Sequence, residues 1–208
     1  MTSPFPRLET LLTRHPALAV CRSEISAAFA LLEEAFLQDR KLLICGNGGS
    51  AADADHWAGE LLKGFVHPRP LPACERQGLT ERAAEVLQWA FPVIPLTGFP
   101  AFASAYANDV AAEFCFAQLV LALGRPGDVL AVLTTSGNSA NVLRAAEVAR
   151  ARGVRVLALT GGRGGAVRAL AEVCICVPAE TTPDVQEFHL PVYHALCLML
   201  EDAFAARM

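Results

Sequence analysis

Five short apolar runs alternate with stretches of helical composition along this chain, and each run is halted by glycine, proline or a cluster of small polar residues. The runs are KLLIC (41–45), VIPLT (93–97), DVLAVLT (128–134), VRVLALT (154–160) and VCICV (173–177). Continuous apolar runs of this length read as strands covered on both faces. Alternation of strand and helix builds a parallel sheet with helices on either side. A ligand site then belongs at the carboxyl ends of the strands, where loops meet helix N-termini. The loops after residues 45, 97, 134, 160 and 177 are the places to search.

Outside the core, SEISAAFALLEEAFLQ within residues 17–40 reads as an amphipathic helix before the first strand. A second long helix is expected over Val185 to Phe204, with Phe188, Val192, Ala195, Leu196 and Met199 down one side. Helices at the two ends of a small α/β domain commonly pack subunit on subunit. Val66 to Gln77 carries three prolines and reads as a loop, and Thr80 to Phe91 reads as a capped helix. No repeat or linker divides the chain. The expectation is one domain over 1–208, with a helical segment at about 7–40, a sheet core at about 41–178 and a C-terminal helix at about 184–206.

Composition narrows the partners. Charged residues are 18% of the 208 and hydrophobic ones 53%, against about 25% charged in an average protein. That excludes a disordered chain. A net charge of −4 offers no broad basic field, so no nucleic-acid partner is expected. The longest apolar runs, Phe114 to Leu123 and Ala195 to Leu200, fall short of the roughly 20 residues that span a bilayer. The opening MTSPFPRLET has no signal-peptide core. A cytoplasmic protein with no membrane partner is expected. Seven cysteines without a CxxC pair read as reduced thiols, Cys174 and Cys176 sharing one strand face.

The stretch TTSGNSANV, Thr134 to Val142, is the most informative. A strand ends, small hydroxyl and amide residues follow, and a helix begins. The first turn of a helix offers unpaired N–H groups and a partial positive charge. Gly137 lets the backbone approach an anion, and Thr134, Thr135, Ser136 and Ser139 offer hydroxyls. An ordinary N-cap needs only one hydroxyl; four of them read as a phosphate cradle that needs no lysine. GNGGS, with Asn47, Gly48, Gly49 and Ser50, ends the first strand in the same way. Gly46, Gly48 and Ala51 half-match a dinucleotide fingerprint, but FVHPRPLPA supplies no acid where one is needed, and GxxxxGK[ST] is absent. No nucleotide cofactor is expected.

An acid–base pair follows. In AADADHWAGELLKG, His56 and Glu60 are four apart and share a helix face, a turn or two inside a helix that starts at the binding edge. Such a pair is commonly a solvated surface contact. A second cluster, QEFHLPVYH, holds Gln186, Glu187, His189 and His194 around Pro191, which frees the Glu187 carbonyl and favours a kink. His189 and His194 lie about 140° apart around the helix axis, so one site does not take both. Periodicity does not choose between them.

CGNGGSAADADHWAGE, LTTSGNSANV and VQEFHLPVYH resemble, in order and spacing, the phosphoheptose isomerases of the sugar isomerase (SIS) domain superfamily, over about residues 17–206. TSGNS is shared by phosphosugar-binding SIS domains generally; HxxxE and QExHxxxxH narrow the likeness to this subgroup. The resemblance implies a three-layer flavodoxin-like fold and a homotetramer with sites at subunit interfaces. It implies conversion of sedoheptulose 7-phosphate to D-glycero-D-manno-heptose 7-phosphate in heptose biosynthesis for lipopolysaccharide or surface glycans. Position by position, it implies Glu60 and His194 as catalytic residues and His56, Glu60, Gln186 and His194 as ligands of one Zn²⁺. It implies phosphate contacts at Thr134, Ser136 and Ser139 with Thr135 beside them, and sugar contacts at Asn47, Ser50 and Asp109.

Two departures bear on the sugar. Typical members carry Arg at the position of Gly64, with Lys63 the nearest basic residue here, and the stretch from Glu60 to Asn108 is longer than in compact members. The chemistry expected is proton transfer between C1 and C2, with Glu60 as base and His194 or the metal at the enediolate oxygens. Two other readings stand beside it. One is a non-catalytic SIS regulator, of the kind that binds a replication initiator. The other is an isomerase of a different phosphosugar.

Overall fold

All five apolar runs form strands. The computed structural model describes residues 6–205. The ends of the expected domain, 1–5 and 206–208, lie outside the described residues, as does residue 206 of the expected C-terminal helix. Two helices, α1 (Pro6–Arg14) and α2 (Arg22–Leu37), precede β1 (Leu42–Gly46) and α3 (Gly49–Leu62). Then come α4 (Glu81–Val86), β2 (Val93–Pro95), α5 (Pro100–Tyr106) and α6 (Cys115–Leu123). The chain closes with β3 (Val129–Thr134), α7 (Ala140–Ala151), β4 (Arg155–Thr160), β5 (Val173–Cys176) and α8 (Thr182–Ala205).

The sheet is parallel throughout, in the order β2-β1-β3-β4-β5. This is the flavodoxin-like arrangement, and its strand order reverses between β1 and β3. Alternate residues of each strand serve opposite layers. Leu42, Ile44, Ala131, Leu133, Leu157 and Leu159 pack on the face covered by α1, α2, α3 and α8. Leu43, Cys45, Leu130, Val132, Val156 and Ala158 pack on the face covered by α6 and α7. Every residue of β1 and β3 is buried, as continuous apolar runs require.

Three differences from the sequence reading have local causes. The N-terminal helical segment is split by a 3-10 turn, Pro16–Cys21, because Pro16 has no N–H to continue α1. The helix capped by Thr80 is real, its hydroxyl accepting from Ala83 N, but it stops at Val86 rather than Phe91. There the chain extends so that Trp89 and Phe91 reach the core against Phe36 and Phe204. Pro100–Leu123, the third difference, is one 24-residue helical stretch whose most apolar 18-residue window has a mean hydropathy of 1.2, long and apolar enough by length and composition to cross a membrane. Counting continuous apolar runs had divided it. Only 22% of its most apolar window is buried, and it passes through π and 3-10 turns between Ala107 and Phe114.

α8 runs unbroken through Pro191. It separates the two histidines as the 140° offset requires. His189 is fully buried near the Thr160 backbone, and burial pulls its imidazole down to about 4. A neutral imidazole is therefore favoured in the fold, while the unfolded chain takes up a proton at about pH 6.5. Stability is complete above pH 6.5 and falls as the pH drops towards 4, by about 3 kcal/mol. Urea unfolding at pH 7 and pH 4.5 is expected to show a steeper acid loss in wild type than in His189→Leu. Equal acid losses in the two would remove His189 from this role.

Candidate active site

The loops after β1 and β3 flank the point where the strand order reverses, and they are tied together. Asn47 Nδ2 donates to Asn141 Oδ1 and Asn141 Nδ2 to Asn47 Oδ1, both at 2.9 Å. The β3 loop is shaped by its own side chains. Thr134 Oγ1 accepts from Gly137 N (3.2 Å), and Ser136 Oγ accepts from Asn138 N (3.2 Å). Asn138 donates to Ser136 O and accepts from Ala166 N, each at 2.9 Å. Gly137 has φ +69°, and a Cβ there would lie 2.1 Å from Gly164 O, so only glycine fits. Ser139 occupies the N-cap of α7 without a side-chain cap bond. Its hydroxyl is left available, which an ordinary capping serine's would not be. Thr135 Oγ1 meets Thr182 Oγ1 at 3.3 Å, so the start of α8 stands over the loop.

In the β1 loop, Gly48 has φ +55°, which turns the chain into α3, and Ser50 is buried beneath it. A Cβ on Gly49 would strike the Gln186 carboxamide at 2.6 Å, so Gln186 lies flat against this turn. From there α3 and α8 run side by side in the same direction. Gly49 meets Gln186, Asp53 meets Tyr193, and the residues just past α3 meet Glu201.

Two to three turns along this pair sits a polar cluster. His56 Nε2 is 3.1 Å from Glu60 Oε1, and Lys63 Nζ is 3.1 Å from Glu60 Oε2. The His56 and His194 rings meet edge to face at 5.0 Å. Ligand atoms of His56, Glu60 and His194 all lie within 4.8 Å of one another, close enough to share one metal ion. His194 Nε2 is buried with no hydrogen-bond partner among the described residues. Burial, helped by His56, lowers the His194 pKa, which favours the neutral ring a metal needs. An orphaned imidazole nitrogen beside a second imidazole and a carboxylate is the donor set expected of such a site.

Behind the cluster, His56 Nδ1 is 3.0 Å from the hydroxyl of buried Tyr193, which donates to Asp53 Oδ1 at 3.2 Å. Burial and the Asp53 charge push the Tyr193 phenol well above its ordinary range, and burial raises the Asp53 carboxyl. The end of α3 is held by a buried ion pair. Glu201 accepts from the backbone N–H of Phe65, Val66 and His67 at 2.8, 2.9 and 3.0 Å. Arg69 lies 3.6 Å from Glu201 and donates to the last carbonyls of α3, Glu60 O and Leu61 O. Its guanidinium also stands over Phe91 at 5.0 Å. Desolvation lowers the Arg69 pKa and the Glu201 charge opposes that.

This geometry answers the departure at Gly64. A Cβ there would sit 2.4 Å from His67 O, so no arginine fits, and Lys63 takes the place beside Glu60. Asp109 stands apart. It lies in the exposed π turn, where it accepts from neighbouring Asn108 at 2.8 Å and bonds to neither loop among the described residues. Glu60 falls in the last turn of α3, eleven residues from Gly49 and so about 16 Å along the axis. That is deeper than the turn or two expected. Sequence reading missed Asp53, Tyr193, Arg69, Glu201 and Asn141. Asp53 is three residues before His56, a helical neighbour in plain view; the others are set by tertiary packing.

Glu201→Ala would strand three partly buried backbone N–H groups and the buried Arg69 charge. The expected cost is about 3–5 kcal/mol, read as a lowered urea midpoint with unchanged m. A change under about 1 kcal/mol would show that the pair carries no such weight.

Comparison with known proteins agrees with this geometry. Residues 15–161 match the SIS domain family. The chain is 41% identical over 189 residues to a phosphoheptose isomerase of Rhodospirillum rubrum, covering 91% of this chain and 90% of that one. It is 46% identical over 170 residues to one from Thiobacillus denitrificans, covering 80% and 77%. The solved phosphoheptose isomerase of Neisseria gonorrhoeae superposes with a TM-score of 0.76 at 33% identity, covering 93% of this chain and 94% of that one. With most of each relative's length covered, the chain belongs to the SIS-domain family and, within it, to the phosphoheptose isomerases.

Proposed function

We propose that this single-domain chain converts sedoheptulose 7-phosphate to D-glycero-D-manno-heptose 7-phosphate, in the cytoplasm, as a homotetramer with sites between subunits. The observation that carries the proposal is one pairing. A hydroxyl-rich loop with an uncapped Ser139 sits at the switch point, and a carboxylate among two imidazoles and an ammonium sits on the helix that leaves it.

The phosphate takes the Thr134 to Ser139 turn and the N-terminus of α7, with Asn47, Gly48, Gly49 and Ser50 along the sugar. This anchors a part of the substrate that does not react and so positions C1 and C2. Glu60 removes a proton from C1 and one is returned to C2, while O1 loses and O2 gains a proton, so the isomerisation balances without an external oxidant. His56, Glu60 and His194 would hold the Zn²⁺, which would supply positive charge at the enediolate oxygens; Gln186, implied by the resemblance as a further ligand, packs on Gly49 at the other end of α3 and would join this set only from another copy. Glu60 Oε1 faces His56 while Oε2 faces Lys63, so ligation and proton transfer fall to different oxygens of one carboxylate.

Reach supports the interface. A seven-carbon chain with its terminal phosphate spans about 10 Å, against a rise of roughly 16 Å along α3 between Gly49 and Glu60, so a loop brought in by a second copy is the shorter reach. The phosphate loop of one copy and the cluster of another then form one site, to which Asp109 on its exposed stretch also belongs. Exposed Val110, Phe114 and Leu121 give that stretch an apolar face for a second copy.

Turnover of sedoheptulose 7-phosphate checks these roles. Glu60→Gln is expected to lower kcat by about 10²–10⁴ with little change in KM. Ser139→Ala is expected to raise KM about 10–100-fold, as for a lost hydrogen bond to a charged group. Full turnover in Glu60→Gln would end the assignment.

A further inference from the structure

We propose that Tyr193 is a positioning residue that fixes the tautomer of His56 and so presents His56 Nε2 to a cation. This rests on the reading that His56, Glu60 and His194 hold a metal ion. The argument is one of proton count. The Tyr193 hydroxyl carries a single proton and has two neighbours, Asp53 Oδ1 at 3.2 Å and His56 Nδ1 at 3.0 Å. A carboxylate only accepts, so the phenol proton goes to Asp53. The phenol oxygen then accepts from His56, which places a proton on Nδ1. A neutral imidazole protonated at Nδ1 has its lone pair on Nε2, the nitrogen that faces Glu60 Oε1 at 3.1 Å. That contact is bridged either by a proton on Nε2 or by a cation that both atoms ligate, and a neutral ring whose proton is held at Nδ1 leaves only the cation.

Packing makes the relay rigid. Tyr193 is fully buried, stacks on Trp57 at 5.7 Å and meets the His56 ring edge to face at 5.6 Å. It also precedes His194, so a single turn of α8 supplies one ligand and orients another. Outer hydrogen bonds of this kind tune metal affinity by about 10–100-fold when removed.

The test uses the full-length protein with Tyr193→Phe, which deletes one oxygen and keeps the ring; circular dichroism melting checks that the fold is retained. Nitrogen-15 spectra of the metal-free wild type are expected to show His56 protonated at Nδ1, with Nε2–H populated in Tyr193→Phe. Zinc affinity, measured by competition with a chelator, is expected to fall about 10–100-fold in the variant, with KM for the phosphosugar unchanged. A wild-type His56 protonated at Nε2 alone, or equal zinc affinities in the two proteins, would overturn the proposal. A wild type that takes up no zinc would overturn the cation reading instead, and the tautomer measurement would still decide the part played by Tyr193.

Discussion

The parallel contact between α3 and α8 is the constraint on which the site depends. One end of it lies at the glycine turn, where Gln186 rests on Gly49. The other is locked by Glu201, which gathers three backbone N–H groups, and by Arg69, which draws on the final carbonyls of α3. Two fully buried charges are costly unless each is answered. Here each charge also satisfies backbone groups that the helix end and the following loop would leave orphaned. The distance between Glu60 and His194 is set by this lock, because one residue sits on each helix of the pair.

A second constraint comes from the sheet. Reversal of strand order between β1 and β3 opens a crevice at their carboxyl ends, and both loops there are built from small residues. The reciprocal Asn47–Asn141 pair closes the two loops on each other, and the Gly164–Gly165 turn is pressed against Gly137. A Cβ on Gly137 or Gly165 would push the backbone apart. The candidate anion loop is therefore a rigid part of the scaffold, and the polar cluster lies at a distance along α3.

Much of this was legible in the sequence. The strands were, because a parallel sheet buried on both faces demands unbroken apolar runs; β3 and β4 end with their runs, at Thr134 and Thr160, and β1 ends one residue past Cys45. The hydroxyl-rich loop after β3 was legible as a candidate site because four hydroxyls exceed what capping needs. His56 and Glu60 could be paired from their spacing, but His194 could be preferred to His189 only through the resemblance, since helical offset separates two histidines without saying which faces what. Arg69 and Glu201 were out of reach: they are 132 positions apart, and a lone Arg in a proline-rich loop looks solvated until the aromatic residues Trp89 and Phe91 are placed around it. The early end of α4 was hidden for the same reason, because local propensity favours a helix there and the core claims those two rings.

The central claim is that the hydroxyl-rich loop of one copy and the acid–base cluster of another form one site. Subunit complementation tests it most directly. Glu60→Gln and the double variant Ser136→Ala/Ser139→Ala are each expected to have little activity alone. Dissociated, mixed and reassembled, they are expected to regain a substantial fraction of wild-type turnover, because the intact loop of one variant meets the intact glutamate of the other. Mixed oligomers no more active than the separate variants would place both halves within one chain and contradict the account.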